Sequence, residues 1–274
     1  MTEALPHPAG LYNDERAARL VESLDSVGEA ERGFFHDQGY LAVRRAVSRQ
    51  RVRAAAAAVD SLIDGGGPSF RGVQFEAGGR RKEQPPRRRR LGVRKLMKFV
   101  DYHPALKELS EDPGLLGLVS SLMDGQTPRM FQDMALLKPP GGREKPWHQD
   151  MAYFNVSLDT PVIGLWIALD EATAANGALH VIPGSHREGP RNHFNRRDWQ
   201  ICDTDVAPGR DVVVPLPPGG ILLWHGLTHH GSPVNHSRRR RRALQFHYRP
   251  AAAEETTTEE RLQVYGGEVR GAEC

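Results

Sequence analysis

From about residue 129 the chain breaks into short apolar runs separated by turn signals, and this rhythm limits the possible folds more than any other feature. VIGLWIAL, GALHVI, DVVVPL, GILLW and ALQFHY each have the length and the β-branched or aromatic content of a strand. Asn176-Gly177 suits a tight hairpin, and Pro217-Pro218-Gly219-Gly220 punctuates another connection. The preceding part reads as largely helical. Residues 13–27 place apolar side chains at helical spacing, and residues 48–64 start at Ser48, a good N-cap, and stop at Gly65-Gly66-Gly67. Between them FFHDQGYLAV suggests a helix end, a turn at Gly39 and a short strand. Asp112-Pro113 supplies an N-cap and a first-turn proline for the helix GLLGLVSSLMD. Helices followed by closely spaced strands imply a mainly β sandwich or barrel fronted by helices. Residues 65–92, rich in Gly, Pro and Arg and without periodicity, read as a long mobile loop of the kind that is often functional.

At 274 residues, with 39% apolar and 26% charged residues, the chain reads as an ordinary soluble globular protein with ample length to bury a core. No apolar run reaches the length of a membrane span, and MTEALPHPAGLYNDE lacks the basic start and apolar stretch of a secretory signal. Cys202 and Cys274 form no disulfide framework, so a cytoplasmic location is expected. The net charge is +3, but basic residues bunch in RRKEQPPRRRR (80–90) and RRRRR (238–242). With 34 acidic residues interspersed and no recognisable nucleic-acid module, these read as solvated loops, with one or two arginines available for a small anion. No nucleic-acid or membrane partner is expected, and no heptad or exposed apolar pattern speaks for dimerisation.

PWHQDMAYF, residues 146–154, carries the chemistry. In a strand alternate side chains share a face, so His148 and Asp150 can converge on one ion. Such a pair arises often by chance and needs a distant histidine on a neighbouring strand end. The stretch LLWHGLTHHGSPVNHSRRRRRALQFHY offers several candidates. Two histidines and a carboxylate on one face form the triad of non-haem Fe(II) oxygenases, although zinc could occupy the same ligands. Such oxygenases take a co-substrate, usually 2-oxoglutarate, whose far carboxylate a planar guanidinium suits well. Arginine is abundant on the strand that leaves the histidine-rich loop.

Four stretches, in order and over most of the chain, resemble the phytanoyl-CoA dioxygenase family of iron- and 2-oxoglutarate-dependent oxygenases. They are FFHDQGYLAVRRAVS, LLKPPGGREKPWHQDMAYF, GLWIALDEATAANGALHVIPGSH and HHGSPVNHSRRRRRAL. The resemblance implies a double-stranded β-helix (jelly-roll, cupin-like) core preceded by N-terminal helices, as a single domain over 1–274. Within it, 1–128 would be the helical part, 129–250 the jelly-roll core and 251–274 a tail. It also implies that His148, Asp150 and His230 are the iron ligands, His230 being the histidine directly before Gly231-Ser232. His229 is the nearest rival. Arg241, eleven residues after His230, matches the arginine for the far carboxylate of 2-oxoglutarate, with Ser232 adding a hydroxyl. Trp166 and Met134 match residues beside the co-substrate, and Lys95 matches a lysine that reaches it, with Lys98 almost as good a match. His180 and His186 are expected to be structural, and His225, His236 and His247 carry no assignment.

The implied cofactors are Fe(II), 2-oxoglutarate and O2, and the implied chemistry is oxidative decarboxylation coupled to hydrogen abstraction from a nearby substrate carbon. Halogenases of the superfamily replace the carboxylate ligand by a small residue. Asp150 fills that place here and leaves hydroxylation, desaturation or ring closure. Substrate choice would lie in loops such as 65–92 and 187–210, whose polar composition suits a polar or anionic small molecule better than a bare fatty chain. The Ala, Arg and Gly-heavy composition suggests an actinomycete-type bacterium. Relatives there tailor antibiotics such as orthosomycins and aminoglycosides by closing orthoester rings, so a sugar-containing specialised metabolite is expected. A fatty acyl-CoA hydroxylase is the alternative within the class. A zinc or manganese cupin-like enzyme and a non-catalytic ligand-binding jelly roll are the alternatives outside it.

Overall fold

A computed structural model describes residues 7–65, 69–76, 85–207 and 209–267. Before the strand-rich part lie β1 (Leu20–Ser23), β2 (Tyr40–Arg45), β3 (Val73–Phe75) and β4 (Val93–Met97). Then follow β5 (Pro128–Lys138), β6 (Lys145–His148), β7 (Ile163–Ala168), β8 (Leu179–Val181) and β9 (His193–Asn195). The series ends with β10 (Trp199–Ile201), β11 (Val212–Val214), β12 (Ile221–His225), β13 (His230–Ser232) and β14 (Arg241–Pro250). The helices are α1 (Glu29–Gln38), α2 (Arg49–Asp64), α3 (Pro86–Leu91), α4 (Pro104–Ser110), α5 (Pro113–Ser121) and α6 (Thr258–Tyr265). None among the described residues is long and apolar enough to cross a membrane.

The strands form an eight-stranded sheet ordered β1-β2-β12-β7-β14-β5-β4-β3, a four-stranded sheet ordered β11-β8-β13-β6, and the hairpin β9-β10. The two larger sheets face each other as the halves of a jelly roll. Strand parity explains why the central strands read as continuous apolar runs. Ile163, Leu165 and Ile167 of β7, Ile221 and Leu223 of β12, and Leu244, Phe246 and Tyr248 of β14 pack outward into a core shared with the helices. Trp166, Ala168, Leu222, Trp224 and Ala243, on the alternate positions, pack inward with Leu179, Val181 and Val213 of the smaller sheet. A strand buried on both faces shows no polar alternation. Helix α2 answers with Val52, Ala55, Ala56, Val59, Leu62 and Ile63, an apolar stripe at helical spacing that docks on the outer face. Each large side chain so buried contributes about 1.5–3 kcal/mol. Ser48 caps this helix by accepting from the Arg51 amide, and Asp112 caps α5 by accepting from Leu115.

Five expectations need correction. Residues 13–27 are not a helix: Leu20–Ser23 pairs in parallel with β2, and Ala17 bridges to Val213. The open edge of the large sheet offers a row of backbone partners, which outweighs helix propensities worth at most about 0.7 kcal/mol per residue. Asn176-Gly177 is a turn but no hairpin, because β7 and β8 lie in different sheets and Gly177 ends a 3-10 turn over Ala174–Asn176. Within 65–92, β3 and α3 are ordered elements, although residues 66–68 and 77–84 lie outside the described ones. Within 187–210 stands the β9-β10 hairpin. Cys202 is not a free thiol, and Cys274 lies outside the described residues.

Gly39 ends α1 at φ 75°, and its carbonyl accepts from the His225 amide and the Thr228 hydroxyl. A Cβ there would lie 2.4 Å from His186 Nδ1 and 2.6 Å from Thr228 Oγ1. Gly39→Ala combines left-handed strain with overpacking, and a destabilisation of about 2–4 kcal/mol is expected in denaturant unfolding.

Candidate metal centre and cavity

The smaller sheet builds the site at one edge. Strands β6 and β13 run antiparallel with His148 directly opposite His230, and their ring centroids are 4.1 Å apart. Asp150 lies past the end of β6, at the start of a 3-10 turn over Asp150–Tyr153. Strand alternation alone therefore does not bring Asp150 to His148; the turn completes the approach. His148 Nε2 lies 3.4 Å from Asp150 Oδ1, and His230 Nε2 lies 3.5 Å from Asp150 Oδ2. One ligand atom from each of the three lies within 4.8 Å of the others, and all three residues are buried.

Each ring is oriented from behind. His148 Nδ1 lies 2.8 Å from the Pro146 carbonyl and His230 Nδ1 lies 3.0 Å from that of Thr228, so each Nδ1–H donates and each Nε2 offers its lone pair to the shared space. Burial, then the neighbouring His148, pushes His230 down to about 3 and keeps it neutral. Burial opposes ionisation of Asp150, but the His230 and His247 rings and hydrogen bonds outweigh it and hold the carboxyl well below its usual range. Asp150 Oδ2 accepts from Trp224 Nε1 and from His247 Nε2, both at 2.8 Å. With two donors on Oδ2, Oδ1 is the oxygen left free for a cation. Three ligands on one side of an ion leave its other positions open.

The cavity that contains the triad measures about 230 Å³. At its inner end the Arg241 guanidinium is buried, with Nη2 3.4 Å from Ser232 Oγ and Nε and Nη1 without any partner. It stacks over Trp166, 5.1 Å from the ring centroid. Burial pushes it down to about 10. Lys138 lies beside it, fully buried, donating to Ser232 Oγ at 2.6 Å and to the carbonyls of Ser232 and Pro233. Burial, then Arg241, holds this lysine well below its usual range. Neither cation has a carboxylate within ion-pair distance among the described residues. A buried guanidinium with two donors aimed at nothing, beside a lysine whose hydrogen bonds all go to Ser232 and Pro233, fits a dicarboxylate reaching in from the triad.

The remaining expectations separate cleanly. Arg240 pairs with Asp60, and Arg242 pairs with Asp170 and Asp60, so of these three neighbours only Arg241 enters the cavity. Ser232 Oγ donates to the Gly177 carbonyl and accepts from Lys138, which fixes the hydroxyl as a support for the cations. Met134 and Lys95 line the cavity, whereas Lys98 is exposed and Trp166 acts from beneath Arg241. His229 stays out of the triad, its amide bonded to Ser185 Oγ. His180 pairs with Asp211 and His186 contacts the His36 carbonyl, as expected of structural histidines. Sequence reasoning missed Lys138, Trp224 and His247. Parity along β14 carried a signal for the last: if Arg241 faces inward, so do Ala243, Gln245 and His247.

The family model for phytanoyl-CoA dioxygenase (PhyH) matches residues 35–243. The chain belongs to the phytanoyl-CoA dioxygenase family. Among curated members it is 35% identical over 161 residues to phytanoyl-CoA dioxygenase domain-containing protein 1 of Mus musculus, covering 55% of each chain. It is 32% identical over 171 residues to a probable alpha-ketoglutarate-dependent hypophosphite dioxygenase of Stutzerimonas stutzeri, covering 58% of this chain and 59% of that one. The chain thus spans just over half the length of these family members. Among solved structures, EvdO2 from Micromonospora carbonacea var. aurantiaca aligns with TM-score 0.68 and 26% identity, over 88% of this chain and 98% of its own. The carbocyclase SnoK from nogalamycin biosynthesis shares the family fold at TM-score 0.67 and 22% identity, over 92% and 96% of the two chains.

Gly164 makes the Trp224 contact possible, because a Cβ there would lie 2.4 Å from the indole. Trp224→Phe, which deletes one donor to Asp150, is expected to weaken Mn(II) or Fe(II) binding about 10–100-fold in a metal titration. Gly164→Ala, which displaces the ring, is expected to do the same. Unchanged affinity in both would mean that Oδ2 needs no such support.

Proposed function

We propose that this chain is a non-haem Fe(II)- and 2-oxoglutarate-dependent oxygenase that hydroxylates or oxidatively cyclises a small polar molecule, a sugar-containing specialised metabolite being the substrate class. The observation that carries this reading is the conjunction, in one cavity, of a buried His–Asp–His face and a buried arginine without a carboxylate of its own. Fe(II), 2-oxoglutarate and O2 together supply the oxidising power for attack on an unactivated C–H bond.

The residues divide the work by position. His148, Asp150 and His230 hold the metal from one side, with their tautomers fixed by the backbone. Arg241, braced by Ser232 and beside Lys138, takes the far carboxylate of 2-oxoglutarate, and Trp166 keeps the guanidinium flat beneath it. Met134 walls the same space. Asp150 occupies the place that halide would require, which favours hydroxylation or ring closure. A zinc or manganese cupin-like protein or a binding module would have no use for the unpaired Arg241. A bare fatty chain suits the cavity less well, because Arg94, Arg143, Lys145, Glu76 and Asp198 all line it. Support for a tailoring role comes from solved structures of this fold, which include a carbocyclase and an epimerase from nogalamycin biosynthesis. The whole chain acts as one oxygenase domain, since the helices bury their faces on the sheet that carries Arg241.

Asp150→Ala is expected to abolish 2-oxoglutarate turnover. Arg241→Ala is expected to raise the 2-oxoglutarate requirement by about two orders of magnitude, in line with the 2–5 kcal/mol lost when a buried charge pair loses one partner. Arg242→Ala is expected to leave that requirement unchanged. Steady-state succinate formation checks all three, and full turnover in the Asp150 variant would remove the triad from the reaction.

A further inference from the structure

Two carboxamides of the large sheet stand beside the triad with polar atoms left unpaired. Alternate residues of β14 and β5 share the inward face, so Lys138 lies opposite Arg241, Met134 opposite Gln245 and Gln132 opposite His247. Gln132 and Gln245 both line the cavity that contains Asp150 and His230. Gln245 is 5% exposed, and its amide nitrogen lies 3.4 Å from His247 Nε2. That ring nitrogen already gives its hydrogen to Asp150 Oδ2 at 2.8 Å, so it has no lone pair for the Gln245 amide. Gln132 Oε1 is buried without a partner among the described residues. Buried carboxamides are normally paired, and two unpaired ones flanking the same histidine call for a ligand. Their surroundings are apolar. Met134 stands opposite Gln245, Met97 pairs with Met134 from β4, and the Phe154 ring lies 4.9 Å from that of His247. Phe154, Met97 and Met134 also line the cavity.

We infer that Gln132 and Gln245 are specificity-determining residues that bind hydroxyl groups of an uncharged, saturated ring held against Met97, Met134 and Phe154. This rests on the oxygenase reading and deepens it: the part of the substrate beside the metal is a neutral polyhydroxylated ring, as in a saccharide or a cyclitol. A carboxamide offers one acceptor oxygen and two N–H donors without net charge, and a hydroxyl, donor and acceptor at once, satisfies either end. Gln245 and Gln132 are diagonal neighbours across the strand pair, so their side chains start about 7–8 Å apart. That span lets each glutamine take a different hydroxyl of one ring. Two such contacts fix the ring in the plane of the sheet, and rotation that would bring another C–H bond to the metal breaks them. A ring stripped of hydroxyls would leave both carboxamides buried and unpaired, which makes the pair a filter against apolar substrates.

The test uses the full chain loaded with Mn(II) and saturating 2-oxoglutarate, and measures the paramagnetic relaxation of ligand protons by NMR. The probes are trans-cyclohexane-1,2-diol and tetrahydropyran, a neutral ring of similar size without hydroxyls. Saturable relaxation by the diol is expected, with tetrahydropyran binding at least about tenfold more weakly. Gln132→Met and Gln245→Met, close in size but unable to pair, are each expected to weaken the diol about tenfold, the loss of one hydrogen bond in a buried site. Affinities for Mn(II) and 2-oxoglutarate are expected to stay unchanged in both. The inference is overturned if the diol shows no saturable relaxation, if it binds no better than tetrahydropyran, or if both variants bind it as wild type does. Loss of Mn(II) or 2-oxoglutarate affinity in the variants would also overturn it, by assigning the glutamines to the metal or the co-substrate. The comparison of the two probes needs wild-type protein alone, so it decides the matter even where a variant does not fold. Failure of wild-type protein to bind Mn(II) or 2-oxoglutarate would instead count against the oxygenase reading.

Discussion

The two hydrogen bonds on Asp150 Oδ2 tie the molecule together. The triad stands at the edge of the small sheet, on β6, β13 and the turn after β6. The donors come from the large sheet, Trp224 on β12 and His247 on β14. A metal site built this way reports the distance between the sheets, because displacing one sheet by an ångström would break charge-assisted bonds in a buried site. The helices that cover the outer face of the large sheet therefore contribute to the site without touching it. Their packing fixes β12 and β14, and those strands fix the carboxylate.

Charge placement divides the same cavity into zones. Among the described residues Arg241 has no carboxylate within ion-pair distance and two donors without a partner, whereas Lys138 beside it is held by Ser232 and Pro233, so it is the guanidinium whose desolvation a ligand's negative charge would offset. The more exposed cations, Arg94, Arg143 and Lys145, are partly neutralised by Glu76 and Asp198.

Much of this was legible in the sequence, for identifiable reasons. The caps at Ser48 and Asp112 and the turn at Gly39 are local, and local chemistry decided them. His148, Asp150 and His230 were readable because few residue types hold a metal and the motifs around them narrowed the choice. Arg241 came from the family resemblance, and the structure adds why its neighbours stay out of the cavity: Asp60 and Asp170 hold Arg240 and Arg242 on the opposite face. What could not be read depends on which strands become neighbours. The parallel pairing of Leu20–Ser23 overrides a helical pattern, and Asn176-Gly177 turns between sheets instead of within one. Lys138 looked like one lysine before two prolines; only the register of β5 against β14 sets it beside Arg241.

Whether one cavity takes both iron and 2-oxoglutarate is tested most directly by anaerobic titration of the purified protein with Fe(II) and 2-oxoglutarate, followed in the visible range. The expected result is the weak charge-transfer band of the chelate, saturating with the co-substrate and missing in the Asp150→Ala variant. A metal-loaded wild-type protein that gives no band would contradict the oxygenase assignment and return the triad to zinc or to a binding role.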